Sequence, residues 1–191
     1  INFTKRVRDE LGAKFQLIAY QPANADYEGV IGVWNDAAVG STDADTDLLY
    51  WVTGAQAAVA VNKSLTNSAY NGELTIDTDY TQAELEAAIK AGKFMFHNVN
   101  GTVRVLEDIN TLLTLTDEKG EIFQSNQTVR VCDQIANDVA VLFNTRYVGI
   151  VPNDGSGRAT LWNDIVKLIK QLETIRAVED FDTDTVEVAV G

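Results

Sequence analysis

SNQTVRVCDQIANDVAVLFNTR, residues 125–146, places Val129, Cys132, Ile135, Ala136, Val139, Leu142 and Phe143 at the 3/4 spacing of an amphipathic helix. Ser125 or Asn126 is suited to cap its start. The run YVGIVP (147–152) follows, ends at Pro152 and predicts a short strand; NDGSGR (153–158) is a glycine loop. ATLWNDIVKLIKQLETIRAV (159–178) then carries a stripe of Leu161, Ile165, Leu168, Leu172 and Ile175, widened by Trp162, Val166 and Ile169. The two helices are expected to clamp one core, with Cys132 inert inside it.

Upstream, NFTKRVRDELGA (2–13) predicts a short helix with Lys5, Arg6 and Arg8 on its wet face and Gly12 as its stop. Lys14–Tyr20 and the run YEGVIGVWN (27–35) read as strands, and the chain from Leu48 to Asn62 as an alanine-rich helix that packs on a sheet. Residues 62–80 are extended and rich in turns. Thr81 with Glu84 three positions on forms a capping box, and Gly92 closes that helix. KFMFHNVNGTVRVLEDI (93–109) predicts two strands around Asn100-Gly101, a dipeptide suited to a type I′ turn. A composition shift near residue 90 marks a candidate domain junction. At the end, DTDTVEVAVG (182–191) sets Val186, Val188 and Val190 on one face of an extended segment. A strand that short needs a sheet edge, its own domain's or a neighbour's.

The chain has 191 residues, 46% hydrophobic, and a net charge of −13 from 15 basic and 28 acidic side chains. Such a charge repels nucleic acid and anionic membranes. No run approaches the ~20 apolar residues that span a bilayer, and the start lacks a signal-peptide pattern, so a soluble protein is expected. Opening at Ile1 inside a helical pattern, without an initiator Met, the chain reads as a piece of a longer protein. One cysteine excludes disulfide, CxxC and Cys-rich zinc chemistry.

Candidate chemical sites are sparse. Asp43, Asp45 and Asp47 open like a calcium loop, but Leu48 and Gly54 occupy the places where that loop needs Gly and Glu, so no metal is assigned. Asp154–Thr160 has the strand, glycine loop, helix order of phosphate cradles, yet matches neither GxxxxGK[ST] nor GxGxxG, and Arg158 is its one cation. A tight turn capped by Ser156 or Thr160 is the competing account; a nucleotide- or phosphate-binding α/β enzyme domain using this loop is the alternative function. His97, the single histidine, sits at a strand end beside a hairpin and has no GxSxG to serve. No catalytic constellation and no cofactor are expected. Lys167 and Lys170, with Arg158 before and Arg176 after, form a modestly basic strip suited to an acidic partner or to surface ion pairs.

AAVAVNKSLTNSAYNG (57–72), YTQAELEAAIKAGKFMFHNVNGTVRVLEDINTL (80–112) and VRVCDQIANDVAVLFNTRYVGIVPND (129–154), continued through the last helix, resemble the contractile tail sheath proteins of bacteriophages and of particles such as R-type bacteriocins. The resemblance implies an α/β (α+β) fold. Residues 1–90 would be the later part of a middle domain that is subtilisin-like in fold only, 91–181 a C-terminal domain lining the inner sheath wall, and 182–191 a linker arm. It implies a non-enzymatic structural protein that polymerises helically around an inner tube and contracts to drive the tube through a cell envelope. Its partners would be other sheath subunits, the tube protein, and baseplate and terminator proteins. Assembly would occur in the bacterial cytoplasm before release in a phage tail or bacteriocin. In such sheaths terminal arms add strands to neighbouring subunits, a role that fits Thr185, Val186, Glu187, Val188, Ala189 and Val190 here. Lys167, Lys170 and Arg176 are the candidates for part of the tube contact.

Overall fold

A computed structural model describes residues 1–37 and 44–190, with residues 44 and 45 described by their backbone alone. The chain forms two compact units, Ile1–Val129 and Arg130–Gly191.

In the first unit, helix α1 (Asn2–Asp9) leads to strand β1 (Leu17–Tyr20) and strand β2 (Val30–Val33). The strands pair in parallel, Leu17 opposite Val30 and Tyr20 opposite Val33. Every residue of β2 is buried, which is why VIGV shows no alternation. On the other side of β2, the Phe94 amide donates to the Gly32 carbonyl (2.9 Å) and the Trp34 amide to the Phe94 carbonyl (3.2 Å). Helix α2 (Ala44–Ala58) buries Leu48 and Val52 in this core, and helix α3 (Gln82–Lys90) begins with the expected reciprocal box between Thr81 and Glu84. Strands β3 (Phe96–Val99) and β4 (Thr102–Val105) form an antiparallel hairpin. Asn100 and Gly101 both take positive φ, 50° and 83°, as a type I′ turn demands.

The composition shift near residue 90 does not coincide with a packing boundary. Phe94, Phe96 and Val105 belong to the same buried cluster as Ile31, Val33, Leu48 and Val52. Phe96 meets Trp51 and Tyr70 edge-on, at 5.5 and 5.7 Å between ring centroids. Such pairs add to the area they bury.

Polar side chains close the unit. Asn35, fully buried, takes the Phe96 amide on its Oδ1 (2.8 Å) and donates to the Phe96 and Asp77 carbonyls (3.0 and 2.9 Å). Asp108, 2% exposed, accepts from Gln56 Nε2 (2.6 Å), the Leu65 amide (3.0 Å) and Asn126 Nδ2 (2.8 Å). One carboxylate thus joins α2, the 62–68 loop, the exit of β4 and the start of helix α4 (Asn126–Arg146). The segment after it is held down as well: Asp26 accepts from the Leu113 and Thr114 amides (2.6 and 2.9 Å), and Lys119 pairs with Glu28 (2.5 Å).

The second unit takes the remainder of α4, helix α5 (Gly155–Thr174) and a tail with one 3-10 turn at Thr183–Thr185. YVGIVP is not a strand. Tyr147 and Val148 donate back to the Phe143 carbonyl, Ile150 and Val151 to the Tyr147 carbonyl, and Gly149 sits at φ +73°. No strand lies in this unit among its described residues, so an apolar run has no ladder to join, and β-propensity alone does not make one. Gly149 supplies the left-handed step that wraps the chain past the helix end. Cys132 is also not in a core: its side chain is exposed, although Val129 one turn before it is buried. Partial desolvation of the sulfur and the Asp133 carboxylate both push the thiol up from its ordinary value, which keeps it protonated near neutrality.

Asp108→Ala leaves three buried donors without their acceptor, each costing about 1–3 kcal/mol. We expect a loss of roughly 3–5 kcal/mol in urea denaturation, as for a broken buried charge interaction, and a smaller loss for Asp108→Asn. Equal stability of wild type and Asp108→Ala would mean that the carboxylate does not hold these segments.

Candidate functional site

The sequence nominates three places in the second unit: the glycine loop before α5, the basic strip along α5 and the terminal segment. At the loop, the residue that caps α5 is Asp154, not Ser156 or Thr160. Asp154 has extended backbone and its Oδ1 accepts from the Gly157 amide at 2.7 Å. Thr160 Oγ1 instead donates to the Ser156 carbonyl within the helix (2.9 Å). A Cβ on Gly157 would overlap the Pro152 carbonyl oxygen, so glycine there serves close backbone approach. Arg158, the loop's one cation, turns back to Asn153, reaching its carbonyl and Oδ1 at 3.3 and 3.2 Å. A carboxylate therefore already occupies the positive end of the helix dipole, and an incoming phosphate would meet like charge. The loop is a cap by construction.

The other chemical candidates stay apart. His97 lies in β3 opposite Arg104 of the hairpin ladder and is half-buried. Asp43 lies outside the described residues, as does the side chain of Asp45; Asp47 is exposed near the start of α2. Among the described residues no group of three or more His, Cys, Asp or Glu is placed to hold a metal. No described helix is long and apolar enough to cross a membrane.

The basic strip divides. Lys167 and Lys170 are exposed on α5, and Lys167 reaches Asp164 Oδ1 at 3.7 Å, a solvent-screened i,i+3 contact. Arg176 lies past the helix C-cap, Ile175, at φ +60°. It shares a surface depression with Glu173, Glu179 and Asp180, so acidic groups surround it. The two lysines form one face; Arg176 belongs to the turn.

The terminal segment is extended but unpaired into any ladder among the described residues. Val186 and Val188 are half-buried while Glu187 and Ala189 are exposed, so the expected alternation survives without a strand partner. Its fastening is Trp162, whose indole N–H donates to the Val186 carbonyl at 3.0 Å. Trp162 reads in sequence only as a broadening of the apolar stripe. The signal available was its polar edge, since a half-buried indole N–H needs an acceptor. Beside it, a groove of about 530 Å³ is lined by Phe143, Tyr147, Pro152, Leu161, Val188 and Ala189 among others. Phe143, Val148 and Ile150 are 46%, 53% and 67% exposed, more apolar surface than a small helical unit ordinarily leaves wet.

Asp154→Ala should cost about 1 kcal/mol of stability, the ordinary worth of an N-cap. Added nucleotide should leave the melting temperature of wild type unmoved; a reproducible rise lost in Arg158→Ala would reinstate the phosphate reading.

Comparison with known proteins supplies the family. The model of the phage tail sheath protein central domain matches residues 1–111, and that of the phage tail sheath C-terminal domain matches residues 118–190. The solved sheath tail protein DSY3957 of Desulfitobacterium hafniense is 35% identical, with a TM-score of 0.85, over 96% of this chain and 44% of its own. Phage-like element PBSX protein XkdK of Bacillus subtilis is 30% identical over 95% of this chain and 41% of its own length. The tail sheath protein of Clostridium phage phiCD119 is 25% identical over 80% and 43%. This chain spans less than half the length of each of these relatives. With family matches in tandem along both of its parts and an α+β fold shared with a solved sheath protein, the chain belongs to the phage tail sheath protein family.

Proposed function

We propose that this chain is the later part of a contractile tail sheath subunit, a structural protein without catalytic activity that polymerises around an inner tube and contracts to drive it through a cell envelope. The observation that carries the reading is the tandem match to the central and C-terminal sheath domains, in that order and across nearly the whole chain. The expected break at residue 90 moves with the core: residues 1–111, which match the central domain, would belong to a subtilisin-like middle domain, residues from 118 to 181 to the domain lining the inner wall, and 182–191 to the arm. The particle would assemble in the bacterial cytoplasm and leave as a phage tail or bacteriocin, in contact with tube, baseplate and terminator proteins.

The physics of such a polymer favours the features described above. A heterologous contact that does not close builds a helix. Extended segments that join rigid subunits let two packings share one set of links. Thr185–Val190 has the alternation for strand addition and joins no ladder among the described residues. Lys167 and Lys170 present exposed positive charge on a protein of net charge −13, a surface suited to an acidic partner such as the tube wall.

Three measurements check this. Negative-stain electron microscopy of the relative-length protein, concentrated alone or with its tube, should give hollow striated cylinders. Deleting Thr183–Gly191 should leave folded protein that forms none; normal cylinders would make the tail a local feature. Reversing the charge at Lys167, Lys170 and Arg176 should abolish co-sedimentation with the tube at unchanged circular dichroism. Because Arg176 sits in an acidic turn, most of the effect should come from the two lysines. Undiminished co-sedimentation would remove the strip from the tube contact.

A further inference from the structure

The two family matches leave residues 112–117 between them, and the composition there is that of a linker. Thr116-Asp117-Glu118-Lys119-Gly120 is a polar turn, and every residue from Leu113 to Glu118 is exposed. Burial of apolar surface does not hold such a segment: Leu113 and Leu115 are 46% and 41% exposed. It is nonetheless fastened at both ends. At its start the Asp26 carboxylate accepts from the Leu113 amide, the Thr114 amide and the Thr114 hydroxyl (2.6, 2.9 and 2.5 Å). At its end Lys119 Nζ meets Glu28 Oε1 (2.5 Å) and lies 5.5 Å from the centroid of the Tyr27 ring. Between these ties the Thr116 amide donates to the Lys119 carbonyl and the Lys119 amide to Thr116 Oγ1, both at 3.0 Å. Behind them Gln124 Nε2 donates to the Leu112 carbonyl (3.0 Å).

We propose that residues 113–119 are an electrostatic strap that fastens the seam between the two family domains onto the first unit, and that the seam becomes a flexible linker once either anchor, Asp26 or Glu28, is lost. The anchors flank Tyr27, itself 5% exposed, so the strap closes over a fixed point of the fold. They hold by different means. Asp26 gathers three donors on one carboxylate and so sets the path of the chain as it leaves the core. Glu28 holds by charge: its side chain is 10% exposed, and its Oε2 is buried without a hydrogen bond among the described residues. A carboxylate so placed gains more from a close cation than a surface acid does, and Lys119, 38% exposed, supplies one. The strap is therefore closed at rest, and it opens as a unit because its middle has nothing of its own to rest on. It is a property of the single chain and does not depend on polymerisation.

Trypsin reads the state of the strap directly, because the bond after Lys119 is cut only when the segment around it opens. The native 191-residue chain is digested and the cut after Lys119 is followed by mass spectrometry, with a synthetic peptide of residues 110–125 as the unfastened reference. The native chain should be cut there about a hundredfold more slowly than the peptide. Asp26→Ala and Glu28→Gln should each speed that cut at least tenfold, while the cuts after Lys167 and Lys170 in α5 keep their wild-type rates. Unchanged rates in α5 separate opening of the strap from general unfolding. Should a variant fail to fold, hydrogen exchange of the wild type decides: the Leu113 and Thr114 amides, which face Asp26, should exchange at least tenfold more slowly than the Asp117 amide of the turn. Peptide-like cleavage of the wild type after Lys119, no acceleration in either folded variant, or equal exchange at these three amides overturns the proposal.

Discussion

The buried carboxylate of Asp108 is the interaction on which the first unit depends. Its oxygens are aimed at a helix side chain, a loop amide and the side chain that opens α4, parts of the chain 18 to 52 residues away. A charge with 2% exposure persists only where hydrogen bonds replace the lost water, and here backbone and side-chain donors do so together. Hydrophobic burial gathers Phe94, Phe96, Val105 and β2 into one core without choosing a register. Asp108 and Asn35, each demanding particular partners, make the arrangement unique.

The second unit has a different constraint. Both large buried clusters lie in the first unit among the described residues, and the second is left with a helical hairpin and a returning tail. Two helices and no sheet cannot cover all the apolar residues that α4 and α5 carry. Hence Phe143, Val148 and Ile150 remain wet, and the tail's valines find a surface of their own chain to rest on. This chain spans less than half the length of XkdK of Bacillus subtilis and of the sheath tail protein DSY3957.

Local signals are legible in the residues. The Thr81–Glu84 box and the Asn100-Gly101 turn each depend on groups within a few positions, so their hydrogen bonds are written in the spacing. Non-local choices were not legible. YVGIVP has strand composition, but a strand exists only where another edge accepts it. Asp154 outcompetes Ser156 and Thr160 because only its carboxylate reaches the Gly157 amide once the chain passes close under Pro152. Cys132 shares the helical spacing of Val129, yet Val129 is buried and Cys132 one turn later is exposed.

By itself the sequence determined the helices, the hairpin, the absence of an evident catalytic motif and a resemblance that the family matches bear out. Tertiary structure alone decided that residues 94–105 complete the first core, that the basic strip splits at Arg176, and that the terminal segment lies on α5 through Trp162. The physical reason is range. Caps, turns and amphipathic periods are set by neighbours in the chain, whereas burial and strand pairing depend on which distant surfaces remain to be covered once those elements have formed.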